Sequence, residues 1–179
     1  DEQDVLDRFY QSAKEWSATT ILRITADCPI LDPAIAGKVL ERYISACGRL
    51  DYVSNNHPPT FPDGLDTEVF SFSALEQAWK EARLTSEREH VTPYLANHPE
   101  IFNVANVTND VDYSPLRWTV DESQDLNFVR AVLEGIRSPQ PGLKEVLTYL
   151  KQHPKVHLLN KGIQRNEGYH KSQVTDLEN

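Results

Sequence analysis

The stretch T-T-I-L-R-I-T-A-D-C-P-I-L-D-P, from Thr19 to Pro33, joins an apolar run to an unexpected carboxylate. Its β-branched and aliphatic residues predict a short buried strand, and Asp27 stands where that strand must stop. In open α/β sheets, ligands bind beyond the carboxyl ends of the strands. An Asp in this position is also a common turn starter, so Asp27 by itself does not distinguish a ligand-binding acid from a turn.

A second stretch, L-R-W-T-V-D-E-S-Q-D-L at residues 116–126, follows the same plan. Its first five residues predict another strand, Asp121 follows them, and a helix begins at Ser123. Two predicted strands therefore each deliver an acid, Asp27 and Asp121, to a loop that leads into a helix. Strands that alternate with helices in this way predict a parallel, three-layer α/β sheet.

Composition excludes several classes of protein. The 179 residues suffice for one full α/β core, and the formal net charge of −9 argues against a nucleic-acid partner, which would need clustered Lys and Arg. No apolar run approaches the roughly 20 residues of a membrane-spanning helix, so we expect no membrane partner and a cytoplasmic location. Cys28 and Cys47 have no neighbours at metal-ligand spacing, which predicts reduced thiols.

Residues 60–72 read T-F-P-D-G-L-D-T-E-V-F-S-F and carry two acids on one face of an extended segment. Pro62-Asp63-Gly64 predicts a turn just before them. Asp66 and Glu68 either lie on a solvated strand edge or accept hydrogen bonds from sugar hydroxyls. The spacing alone favours the solvated edge.

Arg88 and His90 fall in the first turn of a helix that is predicted to begin at Ser86. A histidine in such a place is more often a structural donor than a catalyst. A helix N-terminus nevertheless attracts anions, so both side chains could add donors for a carboxylate or a phosphate.

Several long strings resemble the spore coat polysaccharide biosynthesis protein F family: R-I-T-A-D-C-P-I-L-D-P, P-D-G-L-D-T-E-V-F-S-F, S-E-R-E-H-V-T-P-Y, L-R-W-T-V-D-E-S-Q-D-L and R-N-E-G-Y. That family is similar to the cytidylyltransferases that activate acylneuraminate and ketodeoxyoctonate sugars. The resemblance implies an α/β, three-layer nucleotide-diphospho-sugar transferase fold, which is Rossmann-like. It also implies a cytoplasmic, Mg²⁺-dependent enzyme that transfers CMP from CTP to a sugar acid in cell-surface or spore-coat polysaccharide biosynthesis.

The resemblance also implies roles for individual residues. By position, Asp27 and Asp121 match the family's metal-binding acids, and they are the predicted Mg²⁺ ligands and catalytic acids. The predicted sugar pocket contains six substrate-binding residues, namely Asn55, Gly64, Asp66, Glu68, Arg88 and His90.

Arg23 and Arg117 complete the predicted catalytic set. In nucleotidyl transfer a sugar hydroxyl attacks the α-phosphate of CTP, and negative charge concentrates on the phosphate oxygens as pyrophosphate leaves. Either arginine could neutralise the pyrophosphate, but arginines on strands often only pair with surface acids.

The chain departs from the family at its N-terminus. Family members begin with a strand and a basic loop similar to A-R-x-G-S-x-R-L-P-G-K, which holds the base and the phosphates, and no such loop occurs here. We therefore expect an incomplete domain over residues 1–160, a polar tail over residues 161–179, and a chain that is inactive alone. Residues 60–110 form the predicted sugar-binding segment and the contact of a homodimer. Two other functions stay open: a glycosyltransferase of the same fold, and a non-catalytic sugar-binding or dimer-forming module.

Overall fold

The computed structural model describes residues 2–163 and 165–178, which form a small sheet surrounded by helices. The strands are β1 (Thr20–Arg23), β2 (Tyr52–Ser54), β3 (Glu68–Ser71) and β4 (Val104–Asn106). The helices are α1 (Val5–Glu15), α2 (Pro33–Ser45), α3 (Phe72–Glu81), α4 (Thr85–His90), α5 (Pro93–Asn97), α6 (Ser123–Ile136), α7 (Leu143–Gln152), α8 (Pro154–His157) and α9 (Glu167–Glu178).

The sheet is mixed, with the strand order β1-β3-β2-β4. β3 runs antiparallel to both of its neighbours, whereas β2 and β4 are parallel. The prediction of a parallel sheet is therefore wrong for β3. After β2 the chain reverses through residues 55–67 and returns between β1 and β2, and an antiparallel return of this kind needs no crossover helix.

The antiparallel insertion of β3 brings one end of each of the four strands to the same edge of the sheet. This edge is formed by the strand ends and not by an outer strand. Arg23, which ends β1, and Ser54, which ends β2, are both register partners of Glu68, the first residue of β3. Asn106, which ends β4, is in turn the partner of Ser54. The loops that adjoin these strand ends therefore meet at the same edge.

β1 is more exposed than the buried strand that was predicted. Leu22 is 40% exposed, because β1 lies at the edge of the described sheet and is paired with β3 alone. The predicted strand at residues 116–120, unlike β1, does not join the sheet. Its backbone hydrogen bonds go to two loops instead, from Trp118 N to Asp63 O (2.7 Å) and from Val120 N to Asp27 O (2.8 Å).

Two hydrophobic clusters support the edge at which the loops meet. One lies between α1 and α3 and contains Leu6, Tyr10, Leu75 and Ala78. The other packs α6 and α7 against Phe61, Leu65 and Trp118, which are at most 2% exposed. Because these three residues belong to loops on both sides of the site, burying them anchors those loops. Within the described ranges, no helix is long and apolar enough to cross a membrane.

Candidate active site

A cleft of about 360 Å³ opens where the loops meet. Its acidic lining residues are Asp27, Asp63, Asp66, Glu68, Asp121, Glu122 and Glu167. Fewer cations line it, namely Arg23, Arg117 and Lys171. The structure thus brings together seven of the predicted site residues: Arg23, Asp27, Asp66, Glu68, His90, Arg117 and Asp121. The excess of acids means that a polyanionic ligand would need a bound cation to enter this cleft.

Asp27 and Asp121 come from loops that are joined directly through the backbone. Val120 N donates to the carbonyl oxygen of Asp27 at 2.8 Å, and the Thr119 hydroxyl donates to the same oxygen at 3.2 Å. Asp121 follows Val120 in the chain, so this hydrogen bond brings the backbone at Asp121 close to Asp27, and both residues line the cleft.

Arg117 gathers three carboxylates around one guanidinium. It donates to Asp63 at 3.1 Å, to Asp121 at 2.5 Å and to Asp125 at 2.9–3.2 Å. Burial alone would lower the pKa of Arg117, but its bonds to Asp125 and Asp121 outweigh burial and raise that pKa. Arg117 is therefore a fixed cation that holds Asp121 and shapes the cleft wall.

Asp125 is a site residue that the sequence did not single out. It is fully buried and accepts hydrogen bonds from Asp121 N (3.2 Å), Glu122 N (3.0 Å) and the Asn160 amide (3.0 Å), in addition to those from Arg117. It thereby closes the first turn of α6 and orients the chain at Asp121. Its position three residues into the helix is the only sequence signal that could have found it.

Two further acids in the cleft are difficult to ionise. Burial raises the pKa of Asp63 to about 6, although Arg165 and Arg117 oppose this effect. Burial also raises the pKa of Asp66, which accepts a hydrogen bond from Arg165. Asp66 therefore belongs to an ion pair with Arg165 and is not a solvated edge residue.

Glu68 is only 3% exposed, so its predicted place on a solvated edge is wrong. The reason is that β3 lies inside the sheet. Its carboxylate accepts hydrogen bonds from Arg23, from the Tyr52 hydroxyl (2.6 Å) and from the Thr92 hydroxyl (2.6 Å). Burial and the charge of Glu68 raise the pKa of Tyr52 well above its ordinary value, so Tyr52 remains a donor.

The segment R-N-E-G-Y at residues 165–169 forms one wall of the cleft, although the sequence predicted only a polar tail there. The ring nitrogen Nε2 of His90 lies 3.1 Å from the Ser172 hydroxyl, and Tyr169 packs edge-on against the imidazole. Burial lowers the pKa of His90, Glu89 opposes that change, and Arg23 adds to it. His90 is therefore neutral at pH 7 and joins α9 to the cleft.

Three predicted substrate-binding residues lie outside the cleft lining. Asn55 is fully buried and ties the loop together, since its amide bonds both Leu65 O and Thr67 N at 2.8 Å. Gly64 has φ of +99°, and a Cβ there would lie 2.7 Å from the Trp118 carbonyl carbon. Both residues shape the 55–67 loop and do not line the cleft.

Arg88 is the third of these residues. Its guanidinium donates to Asp4 and to the Trp79 carbonyl, away from the cleft. The predicted place of Arg88 and His90 in the first turn of a helix is wrong, because α4 ends at His90 and Val91 has φ of +73°. The argument that a helix N-terminus attracts an anion to these two residues no longer applies.

The cleft offers suitable donors for a magnesium ion. Mg²⁺ is usually held by one or two carboxylates together with substrate phosphates and water. Asp27 and Asp121 supply two carboxylates from adjoining loops, and the side chain of Asp121 is 53% exposed. Within the part of the chain that is described, no group of three His, Cys, Asp or Glu side chains is arranged for a metal. The two carboxylates agree in type and number with the protein ligands that Mg²⁺ usually takes.

Comparison with known proteins agrees with this fold. The cytidylyltransferase family model matches residues 1–175. The chain is 31% identical over 166 residues to an uncharacterized protein of Methanocaldococcus jannaschii, covering 92% of this chain and 66% of that protein. It is 26% identical over 157 residues to the spore coat polysaccharide biosynthesis protein SpsF of Bacillus subtilis, covering 86% of this chain and 63% of that protein.

The solved structure of a cytidylyltransferase from Leptospira borgpetersenii superimposes with a TM-score of 0.84 at 28% identity. The overlap covers 91% of this chain and 68% of that structure, so the chain spans about two thirds of the length of these relatives. The expected α/β nucleotidyltransferase-like fold is confirmed, and so is the resemblance to the SpsF family. Because the family model extends over almost every residue, the chain belongs to the cytidylyltransferase family.

Proposed function

We propose that this protein transfers CMP from CTP to a sugar acid, in the biosynthesis of a cell-surface or spore-coat polysaccharide. The observation that carries the proposal is the meeting of Asp27 and Asp121 at one edge of the sheet, on loops joined by the 2.8 Å hydrogen bond from Val120 N to Asp27 O. Membership of the cytidylyltransferase family supports a nucleotide substrate. The name of the Bacillus subtilis relative supports a role in polysaccharide biosynthesis.

Asp27 and Asp121 would hold Mg²⁺ against the phosphates of CTP. The ion supplies positive charge where negative charge develops during transfer to the sugar hydroxyl. The acid-rich lining supports this part of the proposal, since a triphosphate would otherwise be repelled.

Arg117 has a second role in the proposal. It bonds Asp121 at 2.5 Å while Asp125 and Asp63 hold it in place, so it keeps Asp121 oriented toward the cleft. Arg117 itself lines the cleft, so its positive charge would also lie near the departing pyrophosphate and would help to stabilise it.

Pyrophosphate release tests the proposed function. The longest natural form of the protein that contains residues 1–179 is incubated with Mg²⁺, CTP and a panel of sugar acids. We expect release that needs both CTP and one sugar acid, and we expect Asp27→Asn and Asp121→Asn each to lower it at least 100-fold, in the range typical for loss of a group that stabilises transition-state charge. The matched control is Asp110→Asn, at an exposed acid outside the cleft.

Two results would contradict the proposal. Activity with a nucleotide sugar and no CTP would identify a glycosyltransferase. Binding of sugar acids without any pyrophosphate release would identify a non-catalytic module.

We also propose a cytoplasmic homodimer that pairs through residues 60–110. In support, β4 is an edge strand of the described sheet and its three residues are only partly buried. Sedimentation equilibrium tests the homodimer. A measured mass that stays that of the monomer over a 100-fold range of protein concentration would contradict it.

A further inference from the structure

Four cations lie in or beside the cleft, and they differ in how fully their donors are used. Arg117 bonds three carboxylates. Arg165 bonds Asp66 and the Phe61 carbonyl, and Lys171 is an exposed partner of Glu167. Arg23 differs from the other two arginines, because its hydrogen bonds within the described residues go to Glu68 alone, through Nη1, and it differs from the exposed Lys171 because its side chain is only 17% exposed.

Arg23 is held rigidly in spite of having this single carboxylate partner. It ends β1 directly opposite Glu68 in the sheet register, and its side chain is 17% exposed. Its guanidinium carbon lies 6.0 Å from the centre of the Phe9 ring, within the range of a cation–π contact. The planar fork is therefore fixed on one edge by Glu68 and on one face by Phe9, while Arg23 lines the cleft.

The charge of Glu68 is satisfied by more than Arg23. The Tyr52 and Thr92 hydroxyls both donate to the same oxygen, Oε1, at 2.6 Å. These two donors stabilise the ionised carboxylate and hold it in place beside Arg23. The effect of Arg23 reaches across the cleft, since Arg23 helps to lower the pKa of His90.

We infer that Arg23, positioned by Glu68, binds the carboxylate of the sugar acid. The inference rests on the proposed function, because it identifies the group of the acceptor that the cleft recognises. A guanidinium fork matches a carboxylate bidentately, and the carboxylate carries the single charge that one arginine can pair with. The phosphates of CTP carry several charges and are served by the metal at Asp27 and Asp121. Glu68 is accordingly a positioning residue and does not accept the sugar hydroxyls.

The test compares two Michaelis constants in the pyrophosphate assay. Arg23→Lys retains the charge beside Glu68 but removes the planar fork. We expect the KM for the sugar acid to rise roughly 10- to 100-fold, as for loss of a charged hydrogen bond, while the KM for CTP stays within about 3-fold. Arg42→Lys, at an exposed position on α2, is the matched control.

A second measurement is independent of turnover. Calorimetry compares the binding of ketodeoxyoctonate with that of its carboxamide, in which the carboxylate charge is removed. The natural protein is expected to prefer the acid about 10-fold or more, and Arg23→Lys is expected to abolish this preference. Glu68→Gln should weaken the preference in the same direction, and thermal melting of each variant shows whether the fold is retained.

The outcomes separate this inference from the proposed function. A rise in the KM for CTP alone would show that Arg23 binds phosphate and would overturn the inference. Equal losses for the acid and the carboxamide would show a merely structural role and would also overturn it. In both cases pyrophosphate release by the natural protein would leave the proposed function standing. Absence of that release with every sugar acid would refute the proposed function itself.

Discussion

The replacement Asp125→Ala tests how the cleft is held in place. Asp125 is fully buried and joins Arg117, Asn160 and the backbone of Asp121 and Glu122. Its loss removes a buried carboxylate partner from Arg117 and from Asn160, and an acceptor from two backbone N–H groups. Breaking a buried ion pair by removing one member destabilises a protein by about 3–5 kcal/mol.

That free energy corresponds to a measurable change in melting temperature. A domain of this size loses roughly 2–4 °C for each kcal/mol, so the expected decrease is about 6–20 °C. Burial would raise the pKa of Asp125, but bonds from Arg117 and Asn160 outweigh burial and lower it. The stabilisation is therefore present at neutral pH and lost as the pH falls through the lowered pKa of the folded state.

Urea denaturation and thermal melting at pH 7 measure the effect. Asp110→Ala is the matched control, since Asp110 is exposed and lies outside this network. We expect the control to remain within about 0.5 kcal/mol of the natural protein. If Asp125→Ala also unfolds within about 1 kcal/mol of the natural protein, the carboxylate network does not hold the site and the reasoning fails.

Two further predictions follow from the same loops. The pKa of Asp63 is raised to about 6 in the folded state, so the free energy of unfolding is expected to fall by up to about 3 kcal/mol through this group as the pH rises from 4 to 7. In urea titrations, Asp63→Asn should remove this part of the pH dependence of stability. An unchanged pH dependence would contradict the raised pKa. Gly64→Ala is expected to destabilise the protein by about 2–4 kcal/mol, because the new Cβ would lie 2.7 Å from the Trp118 backbone and φ is +99°. Gly37→Ala, in α2, places a Cβ with nothing within 4 Å and should stabilise the protein by roughly 0.5–1 kcal/mol. Similar effects at both glycines would refute this argument.

Patterns local in sequence predicted much of the architecture. The strand predicted before Asp27 and the helix predicted after Asp121 are both present in the structure, because the residue patterns that predict strands and helices involve only neighbouring residues. The long family strings correctly indicated the cytidylyltransferase family. They also directed attention to Asp27, Asp121 and Arg23, which do line one cleft.

Pairing between distant segments could not be read in the same way. The position of β3 between β1 and β2 depends on which strands pair with each other, and the alternation of apolar and polar residues within one strand does not specify its partners. Burial of Glu68 follows from this placement, and with it the change from a solvated acid to an anchor for Arg23.

The sequence by itself determined several of the helices and strands, the family, and the two acids that follow apolar runs, because each of these is encoded in contiguous residues. Only the tertiary structure decided that Arg117 would share three carboxylates, that Asp125 would orient Asp121, and that α9 would contribute a wall of the cleft. Each of these features is a contact between side chains or loops, and its geometry arises when the core brings the sheet edge, α6 and α9 together.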